Sequence, residues 1–133
     1  MKVFVLGGDG FCGWPCAVNL ADKGHDVFIV DNLSRRKIDI DLEVESLTPI
    51  TSIGERIKAW SEIGGKPIQF IHLDLASEYQ KLLDLLIEEK PDSIIHFAEQ
   101  RAAPYSMKSS ATKRYTVDTV SYTHLTLPTK RIV

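Results

Sequence analysis

Several ingredients are scarce in this sequence, and each scarcity excludes something. Only two cysteines occur in 133 residues, too few for a disulfide scaffold or a cysteine-built metal centre. No apolar run approaches the ~18 residues that a transmembrane helix needs. Charge of either sign is nearly balanced, with a formal net charge of −2, so no basic surplus marks a nucleic-acid or anionic-membrane surface. The length suits about one domain, with no room for a second full one. The first strand reads from Lys2, which leaves no space for a signal or transit peptide and points to the cytoplasm. The two thiols, Cys12 and Cys16, read as small buried side chains rather than as a redox or metal pair, and no metal site is expected.

What is present organises around the opening. Lys2-Val3-Phe4-Val5-Leu6 is an apolar, β-branched run of strand length, and it breaks into glycines at Gly7, Gly10 and Gly13. Trp14 to Leu20 then reads as a helix, with Pro15 tolerated in its first turn because the missing N–H would be unpaired there. Strand, glycine turn and helix is the geometry a dinucleotide requires. Gly7 permits the tight turn, Gly10 lets the backbone approach a pyrophosphate, and Gly13 lets the helix pack close to the strand. The pyrophosphate would sit at the positive end of the helix dipole. A second strand, His25–Val30, ends in Asp31, close to the ~20-residue offset expected for a carboxylate that bonds the adenosine ribose. Arg35 and Arg36 follow and raise the question of a 2′-phosphate. Asp31 decides for NAD over NADP, because a carboxylate accepts from a 2′-hydroxyl and repels a 2′-phosphate.

Further along, Ile38-Asp39-Ile40-Asp41-Leu42 alternates like a strand, and Leu47-Thr48-Pro49-Ile50 reads as a loop. Ser52 to Ile63 predicts a helix that opens with a Ser52/Glu55 capping box and turns Ile53, Ile57 and Trp60 to one face. Gly64-Gly65 ends it, and Trp60 reads as a core anchor. Pro67–Leu73 predicts a third strand followed by Asp74-Leu75, with His72 a packed strand residue. Glu78 to Lys90 is an amphipathic helix, stopped by Pro91. Ser93–Phe97 predicts a fourth strand, with Ala98, Glu99, Gln100 and Arg101 beyond it. The alternation implies an α/β fold, a Rossmann-type doubly wound parallel sheet that stops after about the fourth strand. Its ligand edge would gather Gly7–Gly13, Asp31–Arg35, Asp74-Leu75 and Phe97–Arg101.

The spacing G-x-x-G-x-x-G is the form common in extended short-chain dehydrogenase/reductases. Within that class the chain resembles the UDP-sulfoquinovose synthase family from about Lys2 to Thr116. The resemblance rests on Gly7-Gly8-Asp9-Gly10-Phe11-Cys12-Gly13-Trp14, Asp31-Asn32-Leu33 with Arg35-Arg36, Glu45-Ser46-Leu47-Thr48-Pro49-Ile50, and His96-Phe97-Ala98-Glu99-Gln100-Arg101-Ala102-Ala103-Pro104-Tyr105-Ser106-Met107. It implies an enzyme of sulfolipid synthesis that joins sulfite to UDP-glucose with tightly held NAD. NAD oxidises the sugar at C4, which acidifies the C5 proton and allows loss of water across C5–C6. Sulfite adds at C6 and the stored hydride returns to C4.

The same resemblance implies that Gly7, Gly10, Phe11, Cys12 and Gly13 hold the pyrophosphate and Asp31 the ribose. Asn32, Leu33, Ser34 and Arg35 would border the adenosine, and Asp74 and Leu75 flank the adenine. Arg101 would stand beside the nicotinamide and the substrate, where a guanidinium suits an anion such as sulfite or a phosphate. The family's catalytic Thr and Tyr-x-x-x-Lys pair are missing, since positions four beyond Tyr105, Tyr115 and Tyr122 hold Ser109, Thr119 and Thr126. No catalytic residue is therefore expected here. The run from Val120 to Thr129 resembles one reading frame of a sequencing adapter. This implies that residues 1–119 are the N-terminal part of an NAD-binding Rossmann domain and residues 120–133 a non-native tail. The parent enzyme would be a homodimer. Two other functions compete: a general NAD-dependent nucleotide-sugar epimerase or dehydratase, against which Glu99-Gln100-Arg101 argues, and a non-catalytic nucleotide-binding module.

Overall fold

The computed structural model describes residues 1–100 and 103–126. Strand β1 (Lys2–Leu6) lies inside a four-stranded sheet, flanked on one side by β2 (Asp26–Asp31) and on the other by β4 (Ser93–His96). Strand β3 (Ile68–His72) extends the β2 side, so the order is β3-β2-β1-β4 and every pairing is parallel. The expected α/β Rossmann-type sheet is present, and each of these strands lies within about a residue of its expected span at either end.

Val3, Phe4, Val5 and Leu6 are all buried, which is why the run is continuously apolar rather than alternating: a parallel strand covered on both faces has no side for water. The two-residue pleat sorts these side chains into two cores. Val3, Val5, Val27, Ile29 and Ile68 meet Ala17 and Ala21 of helix α1 (Gly13–Asp22) and Ile53 of helix α3 (Ile53–Glu62). Phe4, Leu6, Phe28 and Val30 meet Leu82 of helix α4 (Tyr79–Glu89), together with Leu73 and Leu75. Phe4 and Phe28 stand opposite in register and stack at 4.8 Å. Lys2 closes the far end of this layer. Its Nζ donates to Glu89 O at 2.7 Å and meets Glu89 Oε2 at 2.8 Å, a cation at the C-terminus of α4 where the helix dipole favours one.

Helix α3 begins as its sequence requires. Ser52 Oγ accepts from Glu55 N–H at 3.2 Å while Glu55 Oε2 accepts from Ser52 N–H at 2.9 Å, so both halves of the capping box are made. Ile57 and Trp60 pack on the first core, and Trp60 Nε1 donates to Lys66 O at 2.8 Å.

Three local expectations fail. Residues 38–42 are not strand-like but belong to helix α2 (Ser34–Asp41) and its C-cap. Asp31 Oδ1 accepts from Leu33 N–H and Asn32 Oδ1 from Ser34 N–H, and these side-chain turns, with Leu33 in the left-handed region at φ 57°, start a helix instead. Cys12 is exposed and Cys16 only half-buried, because α1 presents Gly13, Ala17 and Ala21 to the sheet instead. His72 is exposed rather than packed, because β3 is an edge strand. Beyond β4 come a short helix α5 (Ala103–Ser106) and helix α6 (Ser110–Thr126). The backbone of α6 is helical across Val120, the residue from which a non-native tail is expected.

Candidate dinucleotide site

The glycine turn is built by close backbone approach. Gly7 has φ +83°, and a Cβ there would stand 2.6 Å from Phe97 C and Ala98 N, in the chain leaving β4. Gly7 N–H donates to Val30 O at 2.8 Å, and Trp14 N–H to Gly10 O at 3.1 Å. A Cβ on Gly13 would lie 2.1 Å from Gly7 O, so the first turn of α1 rests directly on the loop. Cys12 caps α1 without any side-chain hydrogen bond, so no side chain competes for the helix's N-terminal donors. Trp14 N–H and Cys16 N–H are spent on the Gly10 and Cys12 carbonyls and Pro15 has no N–H, so an anion here would rely on the helix dipole and on other amides of the turn.

A cavity of about 440 Å³ opens at the C-terminal edge of the sheet, lined by Gly7, Gly10, Asp31, Asn32, Ser34, Arg35 and Leu75 among others. A second hollow of about 170 Å³ shares Gly7 and Gly10 with it and adds Phe11, Cys12, Gly13 and His96. Ten of the expected site residues therefore converge on one edge. Leu33 and Asp74 do not line either hollow. Leu33 packs against the first core. The Asp74 carboxylate accepts from Asn32 Nδ2 at 3.0 Å and from the N–H groups of Ala76 and Ser77, so it shapes the turn after β3. Arg101 lies outside the described residues.

Asp31 is tied at both oxygens: Oδ1 to Leu33 N–H at 2.8 Å and Oδ2 to Asp9 N–H at 2.9 Å. Each carboxylate oxygen keeps further acceptor capacity, so the group is oriented without being used up. Among the described residues no group of three or more His, Cys, Asp and Glu is placed to hold a metal ion, and no helix is long and apolar enough to cross a membrane.

Two features escape sequence reasoning. Asp9, inside the glycine turn, is buried with its side chain 3% exposed. It ion-pairs with Arg36 Nη2 at 2.9 Å and with Arg56 Nη2, and the Arg56 guanidinium lies 4.8 Å over the Trp14 ring. Burial pushes the Asp9 carboxyl above its usual range, against the pull of Arg36 and Arg56 and with Asp31 adding to the rise. A charge inside a glycine turn was the available signal. Tyr115 of α6 lines the larger cavity, and its hydroxyl accepts from Asn32 Nδ2 at 2.6 Å. Burial raises its phenol, and the Asp74 and Asp31 carboxylates add to this while hydrogen bonds from Ser34 and Asn32 oppose it. No spacing in the sequence announces that contact, which depends on how α6 crosses the sheet edge.

A parallel sheet, a glycine cradle at the end of β1 and an acid at the tip of β2 define a Rossmann-type dinucleotide-binding domain. The chain belongs to the NAD dependent epimerase/dehydratase family, whose model matches residues 3–123. It is 45% identical over 115 residues to the chloroplastic UDP-sulfoquinovose synthase of Spinacia oleracea, covering 86% of this chain and 24% of that protein. It is 41% identical over 117 residues to the UDP-sulfoquinovose synthase of Sulfolobus acidocaldarius, covering 88% and 30%. Among solved structures it resembles a UDP-glucose-4-epimerase from Stenotrophomonas maltophila with bound NAD and formylated UDP-arabinopyranose. That match has a TM-score of 0.64 and 26% identity, covering 93% of this chain and 31% of that one. The chain thus spans 24–31% of the length of these relatives.

Proposed function

We propose that this chain is the NAD-binding part of a UDP-sulfoquinovose synthase, an enzyme that converts UDP-glucose and sulfite to UDP-sulfoquinovose in the cytoplasm as a homodimer. The observation that carries the reading is the identity of 45% to the spinach synthase across 86% of the chain, on a glycine turn whose close backbone contacts a Cβ at Gly7 or Gly13 would block. When bound, NAD supplies reversible hydride acceptance from the sugar. Gly7, Gly10, Phe11, Cys12 and Gly13 line the hollow that suits the pyrophosphate, with the N-terminus of α1 opposing its charge. Asp31 accepts from the adenosine ribose. Asn32, Ser34, Arg35 and Leu75 wall the adenosine side, with Leu33 and Asp74 shaping the turns behind them. Arg101 receives the anionic reactant. The family's Thr and Tyr-x-x-x-Lys lie outside this chain, so the chain alone turns over no sugar.

The test has two parts. Titration of the chain with NAD, followed through tryptophan fluorescence, is expected to saturate; an unresponsive chain that is folded by circular dichroism refutes dinucleotide binding. Grafting residues 1–119 in place of the corresponding part of the spinach synthase is expected to give sulfite-dependent UDP-sulfoquinovose. Formation of UDP-galactose without any sulfite requirement would instead favour the epimerase reading.

A further inference from the structure

The Arg36 side chain stands five residues beyond Asp31, where a positive charge would welcome a cofactor's 2′-phosphate. It is committed elsewhere. Its Nη2 meets Asp9 Oδ2 at 2.9 Å and approaches Asp9 O at 3.4 Å. The other Asp9 oxygen takes Arg56, which is itself stacked on Trp14. Both arginines arrive from the segment between β2 and β3: Arg36 on α2, Arg56 on α3. The Asp9 backbone N–H in turn donates to Asp31 Oδ2, so one residue joins the ribose-facing carboxylate to the arginine pair. Among the described residues of the cavity wall this leaves Arg35 as the one arginine among the acidic residues Asp9, Asp31, Asp39 and Glu99. Were Arg36 released, a second guanidinium would be free to join Arg35 against that acidic wall.

We propose that Asp9 is a specificity-determining residue: its buried carboxylate withholds Arg36 from the cofactor and so excludes nucleotides that carry a 2′-phosphate. Asp31 repels that phosphate directly, and Asp9 removes the cation that would compensate for it. The inference rests on the dinucleotide reading above and extends it to a residue inside the glycine turn.

The experiment measures NAD and NADP affinity by fluorescence titration for the wild-type chain, Asp9→Asn, Arg36→Gln and the double variant, with folding followed by circular dichroism. The wild type is expected to prefer NAD. Asp9→Asn should narrow that preference at least tenfold by improving NADP binding, and the double variant should restore it. Arg36→Gln alone should leave the ratio unchanged, because that guanidinium is already taken. An unchanged ratio in a folded Asp9→Asn, or failure of Arg36→Gln to reverse its effect, overturns the proposal. If Asp9→Asn does not fold, Arg36→Gln still decides. A ratio unaltered by it supports a withheld arginine, and a further loss of NADP binding shows the arginine was available and overturns it. A folded wild type that binds neither nucleotide removes the dinucleotide reading itself, and the proposal with it.

Discussion

Replacing Gly13 by alanine adds a single methyl group at the tightest backbone contact of the site. The new Cβ would lie 2.1 Å from Gly7 O, 2.7 Å from Gly8 Cα and 2.9 Å from Gly7 C. All three are backbone atoms, so no side chain can swing aside, and non-bonded carbon contacts settle near ~3.5–4.0 Å. The first turn of α1 must therefore retreat from the loop by about 1 Å or more. Overpacking of this kind costs about 1–3 kcal/mol, which for a domain of this size lowers the thermal midpoint by roughly 4–12 °C. The retreat also withdraws the helix N-terminus from the pyrophosphate position, and NAD affinity is expected to fall at least tenfold, about 1.4 kcal/mol. Gly54→Ala is the matched control. It sits in helix α3, its Cβ would meet nothing within 4 Å, and alanine there should gain up to about 1 kcal/mol of helix propensity. Thermal denaturation and NAD titration of both variants make the comparison. A Gly13→Ala chain that melts with the wild type and binds NAD equally would refute the close-approach argument.

Asp31→Ala is expected to weaken NAD by roughly 1.5–3 kcal/mol through loss of a charge-assisted bond and to narrow its advantage over NADP; an unaltered preference in a two-cofactor titration would remove Asp31 from that role. In the spinach graft, Arg101→Ala should keep the thermal transition and impair sulfite-dependent turnover, and normal turnover would make it a structural residue only. Hydrogen bonds from the Ser52 hydroxyl and backbone hold the Glu55 carboxyl below its usual range. The capping box therefore stabilises the fold fully above the usual glutamate range and loses its contribution as pH falls through the depressed folded value. Ser52→Ala should cost about 1 kcal/mol at neutral pH and less in acid, and an equal cost at both, by denaturant titration, would contradict the linkage. The chain itself should self-associate, since β4 pairs only with β1 among the described strands and Phe97 is 37% exposed. It should also make no product from UDP-glucose and sulfite. A monodisperse monomer in size-exclusion chromatography with measurable turnover would overturn both statements.

The elements nearest the site were the most legible. Val3–Leu6 could be read because a central parallel strand admits only apolar residues, and Gly7 and Gly13 because no side chain fits their contacts. The Ser52/Glu55 box marked the start of α3 because both partners lie within one turn of chain. Residues 38–42 misled because alternation of Ile and Asp also serves a helix: there Ile38 and Leu42, four apart, both line the large cavity, while Ile40 is 76% exposed. The Asp9–Arg36–Arg56 cluster and the Asn32–Tyr115 contact were hidden for another reason. Each joins residues far apart in the chain, and the partner is chosen by packing that no local pattern records.

The placement of β1 between β2 and β4 also has a kinetic meaning. The strand is made before its neighbours in the sheet, and β2 follows it closely. The clasp of Lys2 on Glu89 spans 87 residues, and β4 is made only after that. At about 5–20 residues per second, one flank of β1 waits roughly 4–17 s for its partner after the strand itself is complete. During that interval the half-sheet presents Phe4 and Leu6 with neither α4 nor β4 beside them. Hydrophobic collapse of a chain this long takes ~10–100 μs, so the waiting state is governed by the rate of synthesis rather than by diffusion. β1 is made before both of its partners and is sealed only when the later one arrives, and slower translation lengthens the time that nascent-chain binding factors have to reach it.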